Sequence, residues 1–240
     1  MANTNSINLE ESSSQYLSIT DANQTGLDFT GDFTLEAWIK IEQLPSTVSS
    51  RFRIICRDNI TTGNRAYDLM INIDDKIDLF YFDSNGKISY ARIDTALTNS
   101  DVGVWMHIAV AVDVSSQTFL FYKNGDVVDS TVNVANASSV AQGDPDFAIG
   151  GRPAASPDSF FDGLIDEVRV WDDIRTSSEI SDNYEKELNG DEDNLQGYWK
   201  LNNSLLDETS NNNDLTNNNS ATFSDDVPFE TTTTNFFQFF

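Results

Sequence analysis

In Phe33-Thr34-Leu35-Glu36-Ala37-Trp38-Ile39-Lys40-Ile41 every odd position is apolar and the even positions are mostly polar. A period of two sends alternate side chains to opposite faces, so this stretch is a strand with one buried face. On either side of it, shorter runs with strand character occupy residues 53–56, 68–73, 77–82, 88–93, 105–113, 118–122, 127–134, 147–149, 164–171 and 195–201. Asn-Gly, Asp-Gly, Pro and Ser/Thr/Asn clusters separate them. Many short strands with frequent turn residues predict an all-β sandwich or barrel. The expected core comprises Phe33, Leu35, Ala37, Ile39, Ile108, Val110, Val112, Val168 and Val170, with Trp38 and Trp171 open to either face.

Two hairpins can be given a register. Asn85-Gly86 and Asn124-Gly125 each sit between strand runs, and Asn-Gly suits the positive φ angles of a type I′ turn. As two-residue loops they would set Tyr81 against Tyr90, Leu79 against Arg92, Phe80 against Ala91, Phe82 against Ser89, Phe121 against Val128 and Phe119 against Ser130. A single helix is expected from a cap at Thr176 or Ser177, Glu179 near N3, and Ile180, Tyr184 and Leu188 at a spacing of four, ending near Asn189-Gly190.

The chain has 240 residues, 39 % hydrophobic and 22 % charged, enough for one large sandwich. No apolar run approaches the roughly 18 residues of a membrane span, so membrane insertion is not expected. Residues 1–15 have neither a basic start nor an apolar centre, so no standard signal peptide is read there. A net charge of −25 repels phosphate backbones and anionic lipid, which disfavours nucleic acid and membrane surfaces as partners and is compatible with divalent cations. The single Cys56, read as a buried small hydrophobe, excludes an intrachain disulfide and a Cys-rich zinc site. With His107 the only histidine, little imidazole chemistry is available, and a structural role is the expectation for it. HExxH, P-loop and dinucleotide-binding fingerprints are absent.

Phe161-Asp162-Gly163-Leu164-Ile165-Asp166-Glu167-Val168-Arg169-Val170-Trp171 resembles the signature strand of laminin-G-like and pentraxin-like domains in the concanavalin A-like jelly-roll superfamily. Gln15–Ile19, Phe33–Ile39, Trp105–Ala109 with Leu120–Gly125, and Tyr198-Trp199 with Asp207–Asn211 agree in chain order, although Ser210 stands where the family usually has Gly. The resemblance covers about residues 6–229 and implies a two-sheet antiparallel jelly-roll β-sandwich with one short helix. The sandwich is therefore assigned to 1–229 and a Thr/Phe-rich tail to 230–240.

Glycosidases of this fold carry paired carboxylates as Glu-x-Asp-x-x-Glu or Glu-x-Asp-x-Glu; neither occurs, and no catalytic residue is assigned. The resemblance implies one structural Ca2+ near the rim, for which Asp162, Asp166, Asp207 and Asn213 offer oxygen ligands. If the first hairpin register holds, Tyr81, Tyr90 and Arg92 form a sugar-binding cluster, the alternative being an ordinary cross-strand tyrosine pair. The tail ends in Phe236, Phe237, Phe239 and Phe240, a strand apolar on both faces that a neighbouring subunit could cover. The expectation is thus a non-catalytic, lectin-like adhesion module for a glycan or another surface ligand, located extracellularly, on a cell surface or on a virion. The alternative is a homo-oligomeric structural subunit of a virion, fibre or surface array joined through the tail.

Overall fold

A computed structural model describes residues 3–61 and 64–229. The strands begin with β1 (Ser6–Leu9), β2 (Tyr16–Ile19), β3 (Phe33–Ile41), β4 (Phe52–Asp58), β5 (Arg65–Ile71), β6 (Ile77–Phe82), β7 (Ile88–Ile93) and β8 (Met106–Asp113). They continue with β9 (Thr118–Lys123), β10 (Asp126–Val128), β11 (Ser130–Ala135), β12 (Phe147–Ile149), β13 (Gly163–Trp171), β14 (Leu195–Trp199), β15 (Thr216–Asn218) and β16 (Thr222–Ser224). The first sheet runs β10-β9-β8-β3-β13-β1-β16, with β14 also paired to β13; the second runs β11-β7-β6-β5-β4-β12-β2-β15. Both are antiparallel, and together they make the expected jelly-roll sandwich. Among the described residues the α-helices are α1 (Pro45–Val48) and α2 (Ser177–Asn183).

All nine expected core residues are buried between the sheets. The signature glycine has a specific cause: Gly163 has φ +132°, and a Cβ there would lie 2.1 Å from the Lys40 carbonyl oxygen. Trp38 and Trp171 turn to the outer face of the first sheet, where the Trp38 indole donates to the Tyr184 carbonyl at 2.7 Å and the Trp171 indole to Glu36 at 2.6 Å.

Three local expectations are corrected. The first hairpin closes on Asp83 and Lys87 around a three-residue loop with Gly86 at φ +76°, while Asp83 Oδ1 accepts from the amides of Asn85 and Lys87. The extra loop residue shifts the pairing by one, to Asp78–Arg92, Leu79–Ala91, Phe80–Tyr90 and Tyr81–Ser89. In the second hairpin Val128 faces Phe121 as expected, but Ser130 pairs with Ile93 instead of Phe119 because the chain crosses there to the edge of the second sheet. Helix α2 starts with the Thr176–Glu179 capping box but stops at Asn183, short of Asn189-Gly190. The carbonyls of Asn183 and Lys186 are taken by Arg169 and that of Tyr184 by Trp38, and these bonds replace a further helical turn.

Candidate functional site

Alternation along β6 places Ile77, Leu79 and Tyr81 in the core and leaves Asp78, Phe80 and Phe82 on the outer face of the second sheet. Across the strands this outer face reads Cys56, Asp68, Phe80, Tyr90 in one row and Arg53, Met70, Asp78, Arg92 in the next. Arg152 joins from the segment between β12 and β13, which bridges Arg152 to Asp158 and accepts the Arg53 amide on the Ser159 carbonyl at 3.2 Å. The result is a surface depression of about 320 Å3, lined notably by Arg51, Arg53, Arg65, Arg152, Asp68 and Phe80.

The floor of this groove is a buried ion pair, Arg53 Nη1 to Asp68 Oδ2 at 3.1 Å. Arg53 Nε, Asp68 Oδ1 and Arg152 Nε are buried without a hydrogen-bond partner. Burial pushes the Asp68 carboxyl up to about 6, against the pull of the Arg53 guanidinium. On one wall Phe80 stacks on Tyr90 with centroids 4.6 Å apart, and the Arg65 guanidinium lies 3.8 Å over the Phe82 ring. Arg65 is also held by Asp58 through two bonds of 2.9 and 2.8 Å, so it is a fixed element of the wall. Arg51 is exposed at the rim, its Nε donating to Asn72 at 3.1 Å. Such a site can offer guanidinium donors and one carboxylate acceptor beside a rigid apolar wall.

A larger depression of about 540 Å3 is lined by Ile77, Ile93, Leu97 and Val127, but its Lys123 and Asp101 satisfy each other at 2.8 Å. It lacks the unpartnered polar atoms of the arginine groove.

The corrected register separates the expected sugar cluster. Tyr81 is in the core, donating its hydroxyl to the Ala137 carbonyl at 3.2 Å, while Tyr90 and Arg92 are on the outer face. Arg92 is engaged by Asp78 at 2.9 and 2.8 Å and by Asp74 at 2.9 and 3.3 Å. Arg53, Arg65, Asp68, Phe80 and Arg152 were missed by the sequence reading. Their available signal was β6, where Leu79 and Tyr81 on one face and Phe80 and Phe82 on the other are all apolar or aromatic.

The calcium candidates lie in three hydrogen-bond networks, with Asp207 and Asn213 sharing one. Asp207 accepts from the amides of Tyr198, Thr209 and Asn213 and from the Thr209 hydroxyl, and Asn213 Oδ1 accepts from the Thr25 amide. Asp162 accepts from the Glu11 amide and Gln43, whereas Asp166 accepts from Asn3 and the Glu167 amide. Burial and the charge of Glu167 also push the Asp166 carboxyl well up. Among the described residues no group of three or more His, Cys, Asp or Glu side chains is placed to hold a metal ion. Phe236, Phe237, Phe239 and Phe240 lie outside the described residues.

The remaining polar cluster sits on the outer face of the first sheet, under α2. Glu36 contacts His107 Nε2 at 3.1 Å and Arg169 at 3.7 Å; Arg169 contacts Glu167 at 3.0 Å, and the Tyr198 hydroxyl donates to Glu167 at 2.7 Å. Burial keeps His107 below the usual histidine range and therefore neutral. Burial pushes Glu36 up, but the His107 bond and the Arg169 charge outweigh it and hold Glu36 low and ionised. Burial raises Glu167 to about 7 despite Arg169. A cleft of about 100 Å3 remains beside Arg175 and Glu192. Signature positions Glu36, Trp38, His107, Glu167, Arg169, Trp171 and Tyr198 thus join the first sheet to α2 and the chain after it.

A family model described as the Concanavalin A-like lectin/glucanases superfamily (Laminin_G_3) matches residues 11–181. The chain belongs to this laminin-G-like family. The laminin-G-like chain is similar to a putative carbohydrate binding protein from Bacteroides ovatus ATCC 8483, with a TM-score of 0.66 and 18 % identity over 94 % of this chain and 61 % of that one. It therefore spans about three-fifths of the Bacteroides protein. A native heptameric SAP-like pentraxin from Limulus polyphemus gives a TM-score of 0.59 and 10 % identity over 94 % of this chain and 97 % of that one. At these identities the likeness is one of fold. No curated protein matches the chain. No helix among the described residues is long and apolar enough to cross a membrane.

Proposed function

We propose that this laminin-G-like chain is a non-catalytic, lectin-like binding module that holds a saccharide in the arginine groove of its second sheet. The observation that carries the reading is the groove floor, where the Arg53–Asp68 pair lines an accessible depression and retains buried polar atoms without partners. Buried polar atoms without partners are rare, and a polar ligand would complete them. The name printed for the Bacteroides relative, a putative carbohydrate binding protein, supports the same ligand class. The setting that suits such a module is extracellular or at a cell surface.

A glycan array tests this reading. Wild-type protein should retain at least one saccharide class, and Arg51→Glu at the exposed rim should weaken retention tenfold or more. Retention of no glycan would overturn the proposal, as would retention indifferent to the groove. Any retained polysaccharide should keep its chain length; shortening would overturn the non-catalytic part. Retention should survive chelator, whereas its loss would support a calcium role at the rim.

The second reading, assembly through the tail, is favoured by the four phenylalanines in the last five residues. Light scattering of the full chain against one ending at Val227 tests it. Defined oligomers that dissolve on truncation support the tail as connector; identical masses remove it.

A further inference from the structure

We infer that the ligand of the groove is a short acidic glycan, with one carboxylated sugar gripped by Arg51, Arg53 and Arg152 while Asp68 accepts a hydroxyl of the same unit. This rests on the binding reading above and goes further by naming the ligand's charge and size.

Position is the first argument. A chain with 39 acidic and 14 basic residues places four arginines around a single depression, with Asp68 the only carboxylate lining it among the described residues. Arg65 is committed to Asp58 through both Nε and Nη2, whereas Arg152 meets Asp158 through Nη2 alone. Among the described residues Arg51 bonds Asn72 and no carboxylate, and Arg53 pairs with no carboxylate but Asp68. The planar guanidinium fork pairs with a carboxylate through parallel bonds that are stronger than neutral ones.

The unsatisfied atoms give the second argument. Arg53 Nε is a donor and Asp68 Oδ1 an acceptor, both buried at the floor. A hydroxyl both accepts and donates, so a sugar hydroxyl can complete the two, which a simple ion cannot do. Unpartnered polar atoms also occur on the first sheet, at Glu167 Oε1, Arg169 Nε and His107 Nδ1, but the cleft at that face is only about 100 Å3.

Size and field supply the third. A volume of about 320 Å3 is at the lower end for small-ligand sites and suits one or two sugar rings. The net charge of −25 repels a long polyanion wherever it leaves the groove, while screening over about 8 Å at physiological salt leaves a single charge inside it attracted. A neutral sugar would leave the rim guanidinium of Arg51 without a counter-charge.

The experiment is titration calorimetry on the full chain with sialyllactose and a glucuronic-acid disaccharide, their neutral counterparts lactose and a glucose disaccharide, heparin, and sodium acetate and phosphate. At least one acidic sugar should bind tenfold or more tightly than its neutral counterpart and than heparin. That preference should disappear in Arg51→Glu and in the milder Arg51→Ala, with melting temperatures unchanged. Equal binding of neutral and acidic sugars, abolished by Arg51→Glu, would overturn this inference and leave the binding reading intact. Heparin binding more tightly would overturn the single-charge argument, and acetate or phosphate matching the sugars would show an anion site only. Binding of nothing, or binding unaffected by Arg51 variants, would overturn inference and reading together.

Discussion

On the first sheet Glu36, Glu167, Arg169 and Trp171 stand on the outward face beneath α2; on the second, Arg53, Asp68, Phe80 and Arg65 stand outward around a surface depression. Both faces combine ionised pairs with aromatic rings. The first face uses its guanidinium to collect backbone carbonyls of the covering chain, from Asn183 and Lys186. The second keeps its polar atoms at the floor of an accessible groove. The difference teaches that the residues making the family recognisable are those that fasten the cover, whereas the residues suited to a ligand lie outside those motifs.

The largest effect expected from this contrast is on stability. Glu36→Ala removes one of the two carboxylate partners of Arg169, together with the partner of His107 and of the Trp171 indole, leaving a buried guanidinium with less compensation. Breaking a buried pair from one side costs about 3–5 kcal/mol. Arg51→Ala, at the exposed rim of the groove, should stay within about 0.5 kcal/mol. Urea unfolding of both variants checks the pair. Comparable losses would erase the distinction between a fastening face and a binding face.

A second expected effect is on pH dependence. The Asp68 carboxyl titrates near 6 in the folded protein because burial raises it from 3.8. A carboxyl raised on folding binds more protons in the native state between those two values, so its contribution to stability falls as pH rises from about 4 to about 7. The shift of about two units corresponds to at most about 3 kcal/mol. Relative to Asp68→Asn, wild type should therefore lose stability across that window and run parallel to it above pH 7. A constant difference from pH 4 to pH 8 would show that Asp68 is ionised throughout, with Arg53 fully compensating its burial.

The fold was legible because β3 advertises its faces by strict alternation and because β13 carries residues with inescapable local jobs, Gly163 among them. The site was much less so. One added loop residue, with Asp83 capping the turn, moves Tyr81 into the core and puts Phe80 beside Tyr90. Asn85-Gly86 reads the same in a two-residue and a three-residue loop, so local turn chemistry could not decide it. Arg53 and Arg152 are far apart in sequence and meet only because β12 pairs with β4 and the following loop folds back. The calcium candidates fall in different hydrogen-bond networks because motif position says nothing about which N–H groups already occupy a carboxylate.

The smallest effect tests whether the two faces are independent. Helix α2 has seven residues, too short to persist in water on its own. It depends on Ile180 packed against Ala109, Ala111 and Tyr122, and on the reciprocal cap in which Thr176 Oγ1 accepts from the Glu179 amide and Glu179 accepts from the Thr176 amide. Thr176→Ala should cost about 1 kcal/mol. Because the cap serves only the cover, hydrogen exchange should quicken at the Ile180 and Tyr184 amides, while amides of β5 and β6 keep their rates. Ligand affinity in the groove should also hold, since the core lies between the helix and Arg53. A change in groove affinity on removing a cap beyond the opposite sheet would mean the sandwich transmits strain from one face to the other, and the cover would then regulate the site it does not touch.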